Sequence, residues 1–68
     1  MIEDLDELRV EKKDLREKLM RLRKFLDSRM SNSIPKEERN LLIAQKRIMY
    51  SYGHILRARI KLLAEKFG

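Results

Sequence analysis

The chain has 68 residues, of which 41% are charged and 43% hydrophobic, and its formal net charge is +6. Cysteine is absent and histidine occurs once, which excludes disulfides, a thiolate zinc site and a cysteine nucleophile. Below about 70–80 residues a single core rarely stabilises a fold alone, so oligomerisation must reinforce it. We expect one domain, residues 1–68, that is stable as a homo-oligomer and needs no metal or cofactor.

No segment of the sequence is suited to a membrane. No apolar run approaches the roughly 18 residues needed to cross a bilayer, and residues 1–4 are acidic where a signal peptide would be basic. We therefore expect an intracellular protein without membrane contact. The excess of 17 Lys and Arg over 11 Asp and Glu favours an anionic partner.

The first predicted helix covers about residues 2–30. Its apolar residues recur in steps of three and four, as on one narrow helical stripe, and Lys12 occupies the one position where the pattern predicts another leucine. Acidic residues, among them Asp4 and Glu7, lie where carboxylates suit the positive end of a helix. Residues 31–35 predict a turn, because Ser and Asn cap helices and Pro35 suits a helix start. The stripe consists of Leu5, Leu8, Leu15, Leu19, Leu22 and Leu26.

The second predicted helix covers about residues 36–66 and has a wider apolar face. A row of small residues, Ala44, Ser51 and Ala58, flanks this face and would let another helix approach closely. The first helix is too narrow to cover so much apolar surface. The pattern thus predicts an all-α antiparallel two-helix hairpin that assembles, with its second helix inside, into a homo-oligomeric helical bundle, a tetramer or hexamer. Two apolar rows define the wide face: Leu41, Ile48, Ile55, Leu62 and Leu42, Met49, Leu56, Leu63.

Polar residues spaced seven apart, Gln45, Tyr52 and Arg59, form a ladder between these apolar rows. An antiparallel register places Lys12 across from Tyr52, and we expect the two side chains to meet. One interpretation is that the ladder fixes register and oligomer number, as buried polar residues do in coiled coils. The other is an inter-subunit pocket in which Lys12, Gln45, Tyr52 and Arg59, with Arg21 as a weaker addition, bind an anionic ligand.

No catalytic site is expected. The sequence has no glycine-rich phosphate loop and no histidine with a fixed nucleophile partner. His54 is interpreted as a solvated surface residue and Tyr50 as packing against a neighbouring helix. The protein is therefore predicted not to be an enzyme.

Both helices carry a wider sequence pattern. The second reads Leu41-Leu42-x-x-Gln45-x-x-x-Met49-x-x-Tyr52-x-x-Ile55-Leu56-x-x-Arg59-Ile60, after a first helix containing Glu11-Lys12-x-x-Leu15-x-x-Lys18-Leu19-x-Arg21-Leu22. This pattern resembles a family of very short phage proteins found in crAss-like and other tailed phages.

That family is similar to phage sponge proteins, which are oligomeric hairpins that sequester cyclic-nucleotide or cyclic-ADP-ribose-type signals of bacterial CBASS and Thoeris defence. The resemblance implies a non-catalytic anti-CBASS or anti-Thoeris protein that acts in immune evasion in the host cytoplasm. Its implied ligand-binding residues are Lys12, Gln45, Tyr52, Arg59 and Arg21.

An alternative function follows from the helical pattern alone. A homo-oligomeric coiled coil could serve as an interaction module that binds a host or phage protein and uses the polar ladder only for register. Nucleic acid is not the expected partner, because the basic residues do not line one helix face as a groove-reading helix requires.

Overall fold

The computed structural model describes residues 4–67 as two long helices joined by a short connection. Helix α1 spans Leu5–Asp27, a 3-10 helix spans Arg29–Ser33, and helix α2 spans Lys36–Phe67. The helices pack side by side in an elongated hairpin that measures 48 × 17 × 16 Å. The described residues contain no strand, and the predicted all-α hairpin is confirmed. The predicted beginning of the first helix, at residues 2 and 3, lies outside the described part of the chain.

Both long helices begin where the sequence supplies a suitable first turn. The Asp4 carboxylate accepts a hydrogen bond from the backbone N–H of Glu7 at 2.8 Å, which satisfies one of the amides left unpaired at a helix start. Pro35 directly precedes α2, and its carbonyl accepts the backbone N–H of Arg39 at 3.0 Å. Proline suits this place because it has no N–H to leave unsatisfied.

Serine side chains end the first helix earlier than the hydrophobic pattern indicates. The α-helix ends at Asp27, three residues before the predicted end, and Ser28 turns back to donate from Oγ to the Phe25 carbonyl at 2.7 Å. The buried Ser31 Oγ contacts the carbonyls of Leu26 at 3.0 Å and Ser28 at 2.9 Å. These hydroxyls satisfy carbonyls that another helical turn would have used, so the chain can tighten into a 3-10 helix.

The core of the hairpin is thin. Among the described residues, Leu8 of α1 and Leu56 of α2 are the apolar side chains with no exposed surface. The other leucines of the α1 stripe are half-buried, and so are the other members of the α2 row that contains Leu56. The other apolar row of α2 lies in solvent, with exposed fractions of 54–72%. Helix α1 therefore covers one side of α2 and leaves a second apolar surface open.

Candidate functional site

The polar ladder of α2 lies along one edge of the hairpin interface. Gln45 is exposed, and its Nε2 lies 3.8 Å from the sulfur of Met49 on the same helix. Tyr52 and Arg59 are half-buried where α2 meets α1. A single chain thus gathers two rungs at the interface and leaves the third in solvent.

Tyr52 forms a hydrogen bond with a different residue from the one expected. Its hydroxyl donates to Glu11 Oε1 at 2.5 Å, across the hairpin. The inward stripe of α1 passes through Leu8, Glu11 and Leu15, so Glu11 occupies the polar position that the sequence pattern assigned to Lys12. One helical residue is a rotation of about 100°, which turns Lys12 away from this edge. The expected contact between Lys12 and Tyr52 is therefore wrong.

The hollow beside Tyr52 is acidic. It is an open cleft of about 560 Å³ between the helices. Four of its eight lining residues are carboxylates and one is a lysine, a balance that repels an anion. An anionic ligand is therefore disfavoured at this edge of the single hairpin. The lining residues are Asp6, Glu7, Val10, Glu11, Asp14, Leu15, Lys18 and Tyr52.

A smaller hollow on the opposite edge of the hairpin has the reverse charge, and we call it the basic groove. Its volume is about 210 Å³, its floor is apolar, and its rim carries one lysine, two arginines, a histidine and a tyrosine. The rim side chains are exposed, so their charged and polar ends can reach a ligand from water. The lining residues are Lys12, Leu15, Arg16 and Leu19 from α1, with Met49, Tyr50, Gly53, His54 and Arg57 from α2.

Helical spacing explains how the basic groove forms. Lys12 and Arg16 are one turn apart on α1, and Tyr50, His54 and Arg57 follow each other at four and three residues on α2. Residues at these intervals project from the same side of a helix. Since the helices are antiparallel, the two sets face each other across the half-buried floor.

The positive surface continues beyond the groove along α1. A neighbouring hollow shares Lys12 and Arg16 with the basic groove and adds Arg9 and Lys13, next to Ile60 of α2. Several cations along one edge hold a multiply charged anion better than one cation does, because each can form a charge-assisted hydrogen bond. Arg21, which the resemblance implied as a further ligand residue, is exposed on α1.

The site predicted from sequence is therefore divided in space. Lys12 lies in the basic groove, Tyr52 lies in the acidic cleft on the other edge, and Gln45 is exposed. His54 and Tyr50 also line the groove, although the sequence pattern predicted only a solvated surface residue at 54 and packing against a neighbouring helix at 50. The signal that would have identified them is their spacing around Gly53 on the helix side that faces Lys12 and Arg16.

Two further properties bear on possible ligands and location. Within residues 4–67, no group of three or more His, Cys, Asp and Glu side chains is arranged to bind a metal ion. Over the same residues, neither α-helix has a stretch apolar enough to span a lipid bilayer.

A family model described as Sequestin matches residues 3–62 of the chain. No curated protein and no solved structure matches it.

Proposed function

The chain belongs to the Sequestin family, and from that premise we propose that it binds and sequesters a small phosphate-bearing molecule in the basic groove. The family name suggests that its members sequester a small molecule, that is, bind it without catalysis. The basic groove is the observation that supports this function best. It offers an anion several cationic side chains, an aromatic ring and an apolar floor in one place.

The chemistry of the groove suits a nucleotide. Lys12, Arg16 and Arg57 can donate charge-assisted hydrogen bonds to phosphate oxygens. The ring of Tyr50, which is 40% exposed, provides a face on which a nucleobase can stack. The half-buried Leu15 and Met49 between them would contact the apolar parts of the ligand. We propose that phosphates lie along the α1 rim and the base against Tyr50.

We also propose an identity for the ligand and a biological role for the chain. We propose that the ligand is a cyclic nucleotide or a cyclic-ADP-ribose-type immune signal, and that the chain is a homo-oligomeric phage counter-defence protein acting in the host cytoplasm. The net charge of +6 and the resemblance to phage sponges support this assignment. In this proposal Lys12 keeps its predicted role in ligand binding, whereas Gln45, Tyr52 and Arg59 fix the register in which the helices pack.

Thermal-shift and calorimetric titrations test the function directly. The panel contains cyclic di-AMP, cyclic tri-AMP and the isomers of cyclic ADP-ribose. A ligand that binds the folded protein at 100 times its Kd stabilises it by about 2.7 kcal/mol, so the melting temperature should rise for at least one member. Ligand released by heating should be chemically unchanged, because sequestration does not consume it. An unchanged melting temperature with every saturating member, or a cleaved ligand, would reject the proposal.

Matched variants locate the site. Lys12→Ala and Arg57→Ala should each weaken binding about five- to tenfold, because each removes a charge-assisted contact. Arg23→Ala is the control, since it makes the same change in net charge on the exposed surface of α1 outside the basic groove. Equal weakening by Arg23→Ala would mean that net charge, and not the groove, attracts the ligand.

A further inference from the structure

Helix α2 carries an apolar stripe that no part of the described hairpin covers. Its large residues are 72% exposed at Leu41, 68% at Ile48, 54% at Ile55 and 67% at Leu62. Exposed small residues alternate with them in steps of three and four, which is the spacing of the core positions of a coiled coil. We call this stripe the seam, and its seven residues are Leu41, Ala44, Ile48, Ser51, Ile55, Ala58 and Leu62.

The exposed surface of the hairpin indicates that the seam is a contact surface. The accessible surface of the chain is 5957 Å², whereas a compact monomer of 8.2 kDa would expose about 4500 Å². Four large aliphatic side chains along one side of one helix are a continuous apolar strip, and such strips mark interaction sites. A partner helix of matching length would bury the strip over about 32 Å.

The order of large and small residues selects the partner and its direction. In a parallel pair, each core position faces the same position of the partner, so large would meet large and small would meet small. In an antiparallel pair, each large residue faces a small one, and the two helices can stay at an even distance. We propose that the seam of α2 packs antiparallel against the seam of a second copy of this chain.

Two antiparallel registers satisfy the alternation of large and small residues, and charge distinguishes them. The register that places Ile48 opposite Ser51 of the partner subunit also brings Glu38 within reach of Arg59 of the partner subunit. The other register places Arg47 beside Lys61 of the partner subunit, where the like charges repel. The first register is therefore favoured, and in it Gln45 lies beside Tyr52 of the partner subunit, so the polar ladder flanks the seam.

The pairing also completes the basic groove. His54 lines the groove and borders the seam on its other flank. In the favoured register, Arg47 of the partner subunit lies beside His54 and adds a cation that the single chain does not contribute there. This part of the inference rests on the proposed function, while the pairing itself does not. Each pair of chains would thus hold two equivalent anion sites, each built from both copies.

Disulfide trapping tests the pairing without any ligand. Because the chain has no cysteine of its own, only the introduced thiols can form disulfides. Leu41→Cys and Ala58→Cys chains are unfolded together, refolded as a mixture and oxidised in a glutathione buffer. Antiparallel pairing in the favoured register places the two substituted positions opposite each other, so that their Cβ atoms can approach to the roughly 3.5–4.5 Å that a disulfide requires. The expected product is the mixed disulfide, which differs in mass from either homodimer.

Alternative arrangements give different products. Parallel pairing would link each variant to itself. The other antiparallel register places Ala58 opposite Ile48 of the partner subunit, so this mixture would stay unlinked, whereas a second mixture of Ala58→Cys with Ile48→Cys would form the mixed disulfide. A seam that binds a different protein would leave both variants monomeric while circular dichroism shows intact helices. Any of these three results overturns the proposed pairing.

The shared site has a separate test with inorganic pyrophosphate as the probe. Arg47→Ala should weaken pyrophosphate binding about threefold or more, although Arg47 does not line the groove of its own chain. Arg23→Ala is again the control. If the mixed disulfide forms but the two variants bind alike, the shared site is wrong and the pairing stands. If the native chain does not bind pyrophosphate, the shared anion site is likewise rejected, and the nucleotide panel decides the proposed function.

Discussion

The hydrogen bond between Tyr52 and Glu11 crosses the hairpin where apolar contacts are few. It joins residues 41 positions apart in the sequence, at a partly buried place between the helices. A carboxylate taken partly out of water needs donors to compensate for lost hydration. The tyrosine hydroxyl supplies one, and in doing so it fixes how α2 is aligned along α1.

Removal of that hydroxyl should weaken the hairpin. Tyr52→Phe should lower the free energy of unfolding by about 1–2 kcal/mol, because the change keeps the ring but deprives a partly buried carboxylate of a donor. Urea denaturation monitored by circular dichroism measures the effect. The control is Tyr50→Phe, on an exposed ring, where the change should stay within about 0.5 kcal/mol. Equal effects at both positions would show that the bond contributes no net stability.

The same pair shows which residue assignments the sequence could support. The leucine steps of α1 correctly indicate its inward side, because deviations of a few degrees per residue still leave the leucines on one side of the helix. At the one polar position, Glu11 and Lys12 fit the steps almost equally well, and the pattern contains no information on which of them meets Tyr52. That choice depends on how α1 is rotated about its own axis against α2, and the structure shows this rotation.

At the scale of elements, α2 contains a glycine in the middle of 32 helical residues. A Cβ added to Gly53 would lie 3.8 Å from Leu15 Cδ2, an ordinary van der Waals contact. Glycine costs a helix interior about 0.8–1 kcal/mol relative to alanine. The hairpin itself therefore does not require glycine at this position.

Gly53→Ala should consequently raise the free energy of unfolding by about 0.5–1 kcal/mol, because it restricts the unfolded chain and fits the space beside Leu15. The measurement is the midpoint of urea denaturation at constant slope. A destabilised variant would show that something approaches position 53 more closely than α1 does. In that case ligand titration of the same variant would reveal whether ligand binding in the basic groove needs the space that glycine leaves open.

The element boundaries illustrate how local chemistry limits a periodic pattern. Apolar spacing predicts a first helix that reaches residue 30, but hydroxyl groups at Ser28 and Ser31 compete for its last carbonyls and end it at Asp27. The second helix begins close to its predicted start because Pro35 leaves few alternatives there. Capping residues thus set where these helices begin and end, and periodicity sets which side is buried.

At the scale of the whole molecule, the two sides of α2 have separate roles. The row containing Leu56 packs against α1, and the large residues of the seam lie about 100° around the helix from that row, where they are exposed. Sequence periodicity is sufficient to detect both rows, but the position of the anion site depends on which flank of α2 adjoins the basic residues of α1. The structure places Lys12 and Arg16 on the flank of His54 and the carboxylates on the flank of Tyr52. Charge and packing together assign binding to one flank and register to the other.

The seam should be the origin of stability in the assembly. Ile48→Glu places a carboxylate in each half of the proposed paired interface, where an unpaired charge loses its hydration. Self-association should weaken at least about 100-fold, as measured by sedimentation across a concentration series. The melting temperature of the native chain should rise with protein concentration because association stabilises the folded state, and that dependence should disappear in Ile48→Glu.

The control for this variant is Met20→Glu, which makes the same kind of change at a residue that is 53% exposed on α1, away from the seam. It should leave both the association constant and the concentration dependence close to those of the native chain. If Met20→Glu dissociates the assembly as strongly as Ile48→Glu, the interface lies on α1. A native chain that stays monomeric and fully folded at high concentration would contradict the pairing altogether, because a hairpin with so little buried surface would then be stable without its seam covered.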